Sequence, residues 1–194
     1  MSVELIDVLD EHGAKTGQTL PRSEVHKKGL WHKIVVVGIV DKDKNILMQQ
    51  RAADKDKNPN MWDISLTGHI TAGQDSVSTV GIEINEELAG LEFDLNNLDY
   101  IFTYTRQQYV GANHFDRQFY DFYILHVDNI DLDKIKVQEE EVQAIKLISS
   151  QELKEMIANN QVVERNETYN ELFIRLFGEE IPSLSNKKLE DTER

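Results

Sequence analysis

The chain has 194 residues, of which 40% are hydrophobic, with a formal net charge of −14 and no cysteine. That length suits one domain around a single core. The missing thiols exclude disulfides, thiolate metal sites and cysteine nucleophiles, and the negative charge argues against nucleic acid as a partner.

No apolar run approaches the ~20 residues of a membrane span. The opening MSVELIDVLDEHG is acidic and strand-like, unlike a signal peptide. A cytoplasmic protein with neither membrane nor nucleic-acid partner is therefore expected. The chain reads as one domain over 1–180, with an N-terminal hairpin (1–30), a core (31–160) and a C-terminal helix (165–178). A flexible tail follows at 181–194.

In chain order, Val3 to Asp10 reads as a strand and Glu11 to Gly17 as a turn. Ile34 to Val40, IVVVGIV, is a continuous apolar run of the kind found in buried central strands. Asp41 to Asn45 is a polar turn before a second strand, Ile46 to Gln50. Arg51 to Met61 is charged, contains Pro59 and reads as a loop, and Trp62 to Leu66 leads into Gly68. Gly73, Asp75 and Ser76 mark a helix start, and Val77, Val80, Ile84 and Leu88 fall on one side of that helix. Leu98 to Thr105 and Arg117 to Val127 read as strands around a loop with Gly111, Asn113 and His114. Glu141 to Ile148 is a further strand, and Ser149 with Glu152 resembles a capping box for a helix over Gln151 to Asn159. A last helix is expected over Glu167 to Phe177. These elements predict an α/β (α+β) fold, a mixed β-sheet sandwiched between helices rather than a regular βαβ alternation.

The chemistry concentrates in Gly68 to Leu91, GHITAGQDSVSTVGIEINEELAGL. Glu83, Glu86 and Glu87 stand at i, i+3 and i+4, so their carboxylates share one helical face. Like charges at that spacing lower helix stability by a few tenths of a kcal/mol per pair. A bound dication would reverse the sign, and hard oxygen donors suit Mg²⁺ or Mn²⁺. The bland alternative is a solvated acidic face.

This segment resembles the Nudix box, G-x(5)-E-x(7)-R-E-U-x-E-E-x-G-U, where U is a bulky aliphatic. Gly68 matches the opening glycine, Glu83 the first helical acid, Ile84 the aliphatic, and Glu86 and Glu87 the acidic pair. The segments SEVHKKGLWHK (23–33), LMQQRAADKDKNPNMWD (47–63), Gly68-His69 and EEEV (139–142) resemble the isopentenyl-diphosphate-isomerase-like branch of the superfamily. The resemblance covers roughly residues 3 to 160 and implies a Nudix fold. It implies that Glu83, Glu86 and Glu87, with the Gly68 carbonyl, hold Mg²⁺ or Mn²⁺. It implies that Arg51 and Lys55 contact a small-molecule diphosphate substrate, and that Glu141 or a neighbour in its run serves as general base. From the isomerases it implies a second ligand set of His26, His32, His69, Glu139 and Glu141, against the alternative that the histidines brace the strand. A homodimer is compatible with the family.

Three departures from the motif bear on activity. Gln74 stands where the box has its first acid, Ile82 replaces the arginine, and the late glycine is displaced to Ala89-Gly90. Both charges of the acid–arginine pair are missing together, which implies weaker metal binding, slower turnover or an altered proton path. In the better-known isomerases a cysteine precedes the Gly-His, and here that position is Thr67. A hydroxyl is a far weaker acid than a thiol, so hydrolysis of a diphosphate linkage in a nucleotide or other small metabolite is the leading expectation. Isomerisation and non-catalytic diphosphate binding are the alternatives.

Overall fold

The computed structural model describes residues 3–163 apart from residue 56 and residues 110–114. The helix expected over 167–177 and the tail from 181 lie outside the described residues, as does the loop with Gly111, Asn113 and His114.

The apolar run Ile34–Val40 forms the middle of β3 (Trp31–Asp41), on which the sheet is built. Its β-branched residues are buried on both sides of the strand, which suits a central position. β3 pairs in parallel with β9 (Phe115–Val127) along its whole length, from Trp31↔Arg117 to Asp41↔Val127. On its other edge it meets three antiparallel strands in succession: β1 (Leu5–Leu9), β6 (Leu66–His69) and β4 (Ile46–Arg51). β2 (Lys15–Pro21) extends from β1. β4 also pairs β5 (Trp62–Asp63) and β11 (Val142–Ile148). On the far side, β8 (Leu98–Tyr109) forms a long antiparallel hairpin with β9. A separate two-stranded pair joins β7 (Leu88–Ala89) to β10 (Lys136–Val137).

Alternation along the strands divides the core into two layers. Ile34, Val36, Ile46, Met48, Tyr120 and Phe122 form one face, covered by Leu153 and Met156 of α3 (Ser150–Ala158). Val35, Val37, Ile39, Leu47, Leu66 and Leu125 form the other, against Val80 and Ile84 of α2 (Ser76–Glu87). The helix–sheet–helix arrangement agrees with the expected sandwich. Among the described residues, no helix is long and apolar enough to cross a membrane.

Helix starts follow local side-chain chemistry. The Asp75 carboxylate accepts the Ser78 N–H at 2.8 Å, and Ser78 Oγ accepts the Asp75 N–H at 3.3 Å. Ser149 Oγ accepts the Glu152 N–H at 3.1 Å at the head of α3. Both are reciprocal or single caps that satisfy otherwise unpaired helical donors.

The N-terminal region is richer than the expected hairpin. β2 begins at Lys15, inside the stretch read as a turn, and Arg22–Lys28 forms a short helix, α1. β2 is largely exposed, so its sequence carries no apolar alternation, and a seven-residue helix is too short to display a period. The Trp62–Leu66 segment is divided between β5 and β6. β8 extends to Tyr109 and β9 begins at Phe115, each past the expected limit.

Candidate active site

The site is assembled where β6 runs into α2. Gly68 lies in β6 opposite Val35, with Glu83 packed over its Cα. A Cβ at Gly68 would overlap the Glu83 carboxylate, standing 2.7 Å from Cγ and 2.5 Å from Cδ. The opening glycine of the motif is therefore a cradle for the first helical glutamate.

Of the three helical glutamates, Glu86 is exposed, Glu83 is half-buried and Glu87 is buried. Burial, with the Glu86, Glu4 and Glu141 carboxylates nearby, pushes Glu83 up to about 7. Burial, followed by Glu83 and Glu141, pushes Glu87 up to about 8 against the pull of Lys55 and Arg51. Glu87 Oε2 is buried with no hydrogen-bond partner. A buried acceptor without a donor is costly. Two converging carboxylates and one orphaned oxygen form a donor set that a hard dication would satisfy.

Glu141 joins this group from a distant part of the chain. The Gln138 N–H donates to Glu87 O at 3.3 Å, and the Ala52 N–H to Glu141 O at 3.0 Å. These bonds hang the 138–141 turn between the end of α2 and the end of β4. Glu141 Oε2 accepts from Lys55 Nζ. Arg51 is held in turn, since its Nε donates to Lys57 O at 3.1 Å and its Nη1 is 4.0 Å from Asp63 Oδ2. Arg51, Lys55 and Glu141 are thus brought to the helix that carries Glu83 and Glu87.

His26, His32 and His69 also converge, on the other side of the sheet. One ring nitrogen from each lies within 4.8 Å of the others. Among the described residues, Glu139 and Glu141 contribute no carboxylate to this group. The carboxylate at the histidines is that of Asp116, whose Oδ1 is 2.6 Å from His26 Nδ1. His32 Nδ1 donates to the Leu30 carbonyl at 2.9 Å, so its Nε2 is the acceptor and takes the Gln118 amide at 3.1 Å. Tyr120 completes the chain by donating to Gln118 Oε1 at 2.7 Å. Burial lowers His32 to about 4. Burial and then Arg22 hold His69 well below its usual value. Both rings are therefore neutral near pH 7, the state in which imidazole ligates metal.

Asp116 and Gln118 escaped the sequence reading. The signal was the alternation Asp116, Gln118, Tyr120, Phe122 at the start of β9, which places polar residues on an otherwise buried face. The in-register pairing His32↔Gln118 brings them to the histidines.

A cavity of about 1750 Å³ opens over this region, with Arg51, Lys55, Thr67, His69, Asp116 and Tyr120 in its wall. Two of the three motif departures have local explanations. Gln74 Oε1 accepts from Thr79 Oγ1 at 3.2 Å, and Ile82 is 39% exposed, so neither leaves a buried charge behind.

Comparison with known proteins gives a consistent result. The family model described as NUDIX domain matches residues 31–177. The chain is 34% identical over 180 residues to "Nudix hydrolase 3" of Arabidopsis thaliana, a match that covers 89% of this chain and 23% of that protein. The chain thus spans less than a quarter of the length of that relative. It is 32% identical over 162 residues to an uncharacterized Nudix hydrolase of Clostridium acetobutylicum, covering 82% of this chain and 76% of that one. The crystal structure of the DR0079 protein from Deinococcus radiodurans superposes with a TM-score of 0.66 at 16% identity, over 91% of this chain and 100% of that one.

Proposed function

This chain belongs to the Nudix family, and on that footing we propose that it is a divalent-metal-dependent hydrolase of a diphosphate linkage in a nucleotide or other small metabolite. The observation that carries the reading is the buried Glu87 carboxylate, with an unpartnered oxygen, facing Glu83 in its Gly68 cradle. Apart from a cation, that arrangement has only costs.

Glu83, Glu86 and Glu87, with Gly68, would hold Mg²⁺ or Mn²⁺. Such an ion supplies Lewis-acid polarisation of a phosphoryl oxygen and a more acidic bound water. Arg51 has a planar fork suited to two phosphate oxygens, and its tethers to Lys57 O and Asp63 orient it before substrate arrives. Lys55 offers a second, more mobile cation. Glu141, held at Oε2 by Lys55 and close to both helix carboxylates, takes the proton from the attacking water. The P–O bond to the leaving phosphate then breaks and that group departs with its electron pair. The missing acid–arginine pair of the motif makes this a slower member of its family. The three imidazoles form a second donor set for a divalent ion, with Asp116 and the Leu30 carbonyl orienting the outer nitrogens.

Isomerisation is not favoured. Thr67 lines the cavity where that chemistry needs a thiol, and a hydroxyl has no useful anion near neutral pH.

The test is release of monophosphate products from a panel of nucleoside di- and triphosphates, nucleotide sugars and dinucleotides. Turnover should require Mg²⁺ or Mn²⁺ and vanish with EDTA. Turnover indifferent to EDTA and to Glu87→Gln rejects the mechanism. Ligand-induced thermal stabilisation without any product across the panel would instead mark a binding protein.

A further inference from the structure

Arg106 stands apart from the other cations of the cavity. Arg22 pairs with Glu4 at 3.0 Å, Lys55 with Glu141, and Lys57 reaches Asp116 at 3.5 Å. Arg51 is tethered to Lys57 O and Asp63. Arg106 lines the same cavity, is partly buried, and makes no ion pair, hydrogen bond or ring contact among the described residues. Lys27 likewise has no partner among the described residues, but it is exposed, where water serves it. The chain carries 35 acidic residues against 21 lysines and arginines, yet none among the described residues pairs with this partly buried guanidinium.

Its position is defined by the sheet. Arg106 lies on β8 opposite Gln118, two residues beyond the buried Tyr104, on the face that carries the histidines. The phosphate-binding Arg51 lies on β4. β4 and β8 lie on opposite sides of β3 and β9, and at the level of Arg51 β4 pairs β5 and β11 rather than β3. Arg51 is held back by its tethers to Lys57 and Asp63 and does not reach across. The two cations therefore address the cavity from opposite sides of the sheet's central strands.

We infer that the substrate carries a second anionic group, remote from its diphosphate, and that Arg106 binds it. This rests on the hydrolase reading for the position of the diphosphate. A guanidinium with no partner among the described residues keeps its donors for the ligand and needs no bond to them broken before it binds. Gln108, next on the same face of β8 and also at the cavity wall, offers an amide beside it. A carboxylate or a phosphate would satisfy this site equally. What it selects is charge at the far end of the molecule.

Two substrate pairs that differ by one such group test this. UDP-glucuronate against UDP-glucose adds a carboxylate, and NADP⁺ against NAD⁺ adds a phosphate. Specific activity is measured as kcat/KM with Mg²⁺, and as dissociation constants by calorimetry where turnover is absent. The wild type should prefer the acidic member of at least one pair by about tenfold, the scale of one charged hydrogen-bonding contact. Arg106→Gln should erase that preference through KM while leaving the neutral member within about twofold. Arg106→Lys should restore part of it, because the charge returns without the fork. Equal treatment of both members by the wild type, or equal loss on both in Arg106→Gln, overturns the inference. Arg51→Gln separates the two readings. If it leaves all four ligands unaffected while Arg106→Gln still discriminates, the diphosphate assignment fails and the anion contact stands.

Discussion

Replacing Glu87 by glutamine should make the metal-free protein more stable and the metal-bound protein less so. Glu87 is 7% exposed, and burial with Glu83 and Glu141 raises its carboxyl from 4.5 to about 8. A group raised on folding contributes stability that is intact below the unfolded pKa and is lost as pH climbs toward the folded one. Between pH 4.5 and 7 the unfolded chain ionises here while the folded chain keeps its proton. At about 1.4 kcal/mol per pH unit this has a ceiling of roughly 3.4 kcal/mol by pH 7. Relaxation of the neighbouring carboxylates reduces that to about 2 kcal/mol. Glutamine keeps the shape and carries no charge, so Glu87→Gln in EDTA should melt about 4–8 °C above wild type at pH 7. The two curves should draw together toward about pH 5 and merge below about pH 4, where the carboxyl is neutral in the folded and the unfolded chain. Mg²⁺ or Mn²⁺ should raise the wild type, more so at higher pH, and raise the variant less. Melting curves from pH 5 to 8.5, with and without metal, decide the matter. A variant whose stability difference does not change with pH, or one that metal stabilises as much as wild type, refutes the reasoning.

Three further substitutions follow from contacts within the structure. Gly68→Ala displaces the Glu83 carboxylate, the flexible end of a side chain, so melting should shift little while kcat/KM falls by about 100-fold. Gly90→Ala should be strongly destabilising, by more than about 2 kcal/mol in a denaturant titration. Its φ is +97° and the added carbon would strike the Lys134 carbonyl, which is backbone and has no rotamer to escape into. Asp116→Asn removes the carboxylate that orients His26 at 2.6 Å, and Mn²⁺ affinity of the histidine group should drop about tenfold by calorimetry. Unchanged affinity would mean that those rings hold no ion.

The glutamate-bearing helix was legible because its logic is local. The spacing of Glu83, Glu86 and Glu87 fixes their common face through the helical period, and Asp75 announces the helix start with its own side chain. The central strand was legible for a similar reason, since Ile34–Val40 is apolar on both faces and belongs nowhere but the interior. The histidine environment was not. His26, His32 and His69 could be marked in the sequence, but the hydrogen bond between His26 and Asp116 could not. That bond depends on a parallel register between β3 and β9, strands some eighty residues apart.

The same division applies to the whole protein. Periodicity, capping and the motif spacing are written within a few turns of chain, where covalent geometry alone decides which side chains are neighbours. The partners of Glu141, the orphaned oxygen of Glu87 and the isolation of Arg106 arise where distant strands meet. Those meetings are chosen by the burial of two whole sheet faces at once, a sum over the entire molecule that no short window of sequence contains.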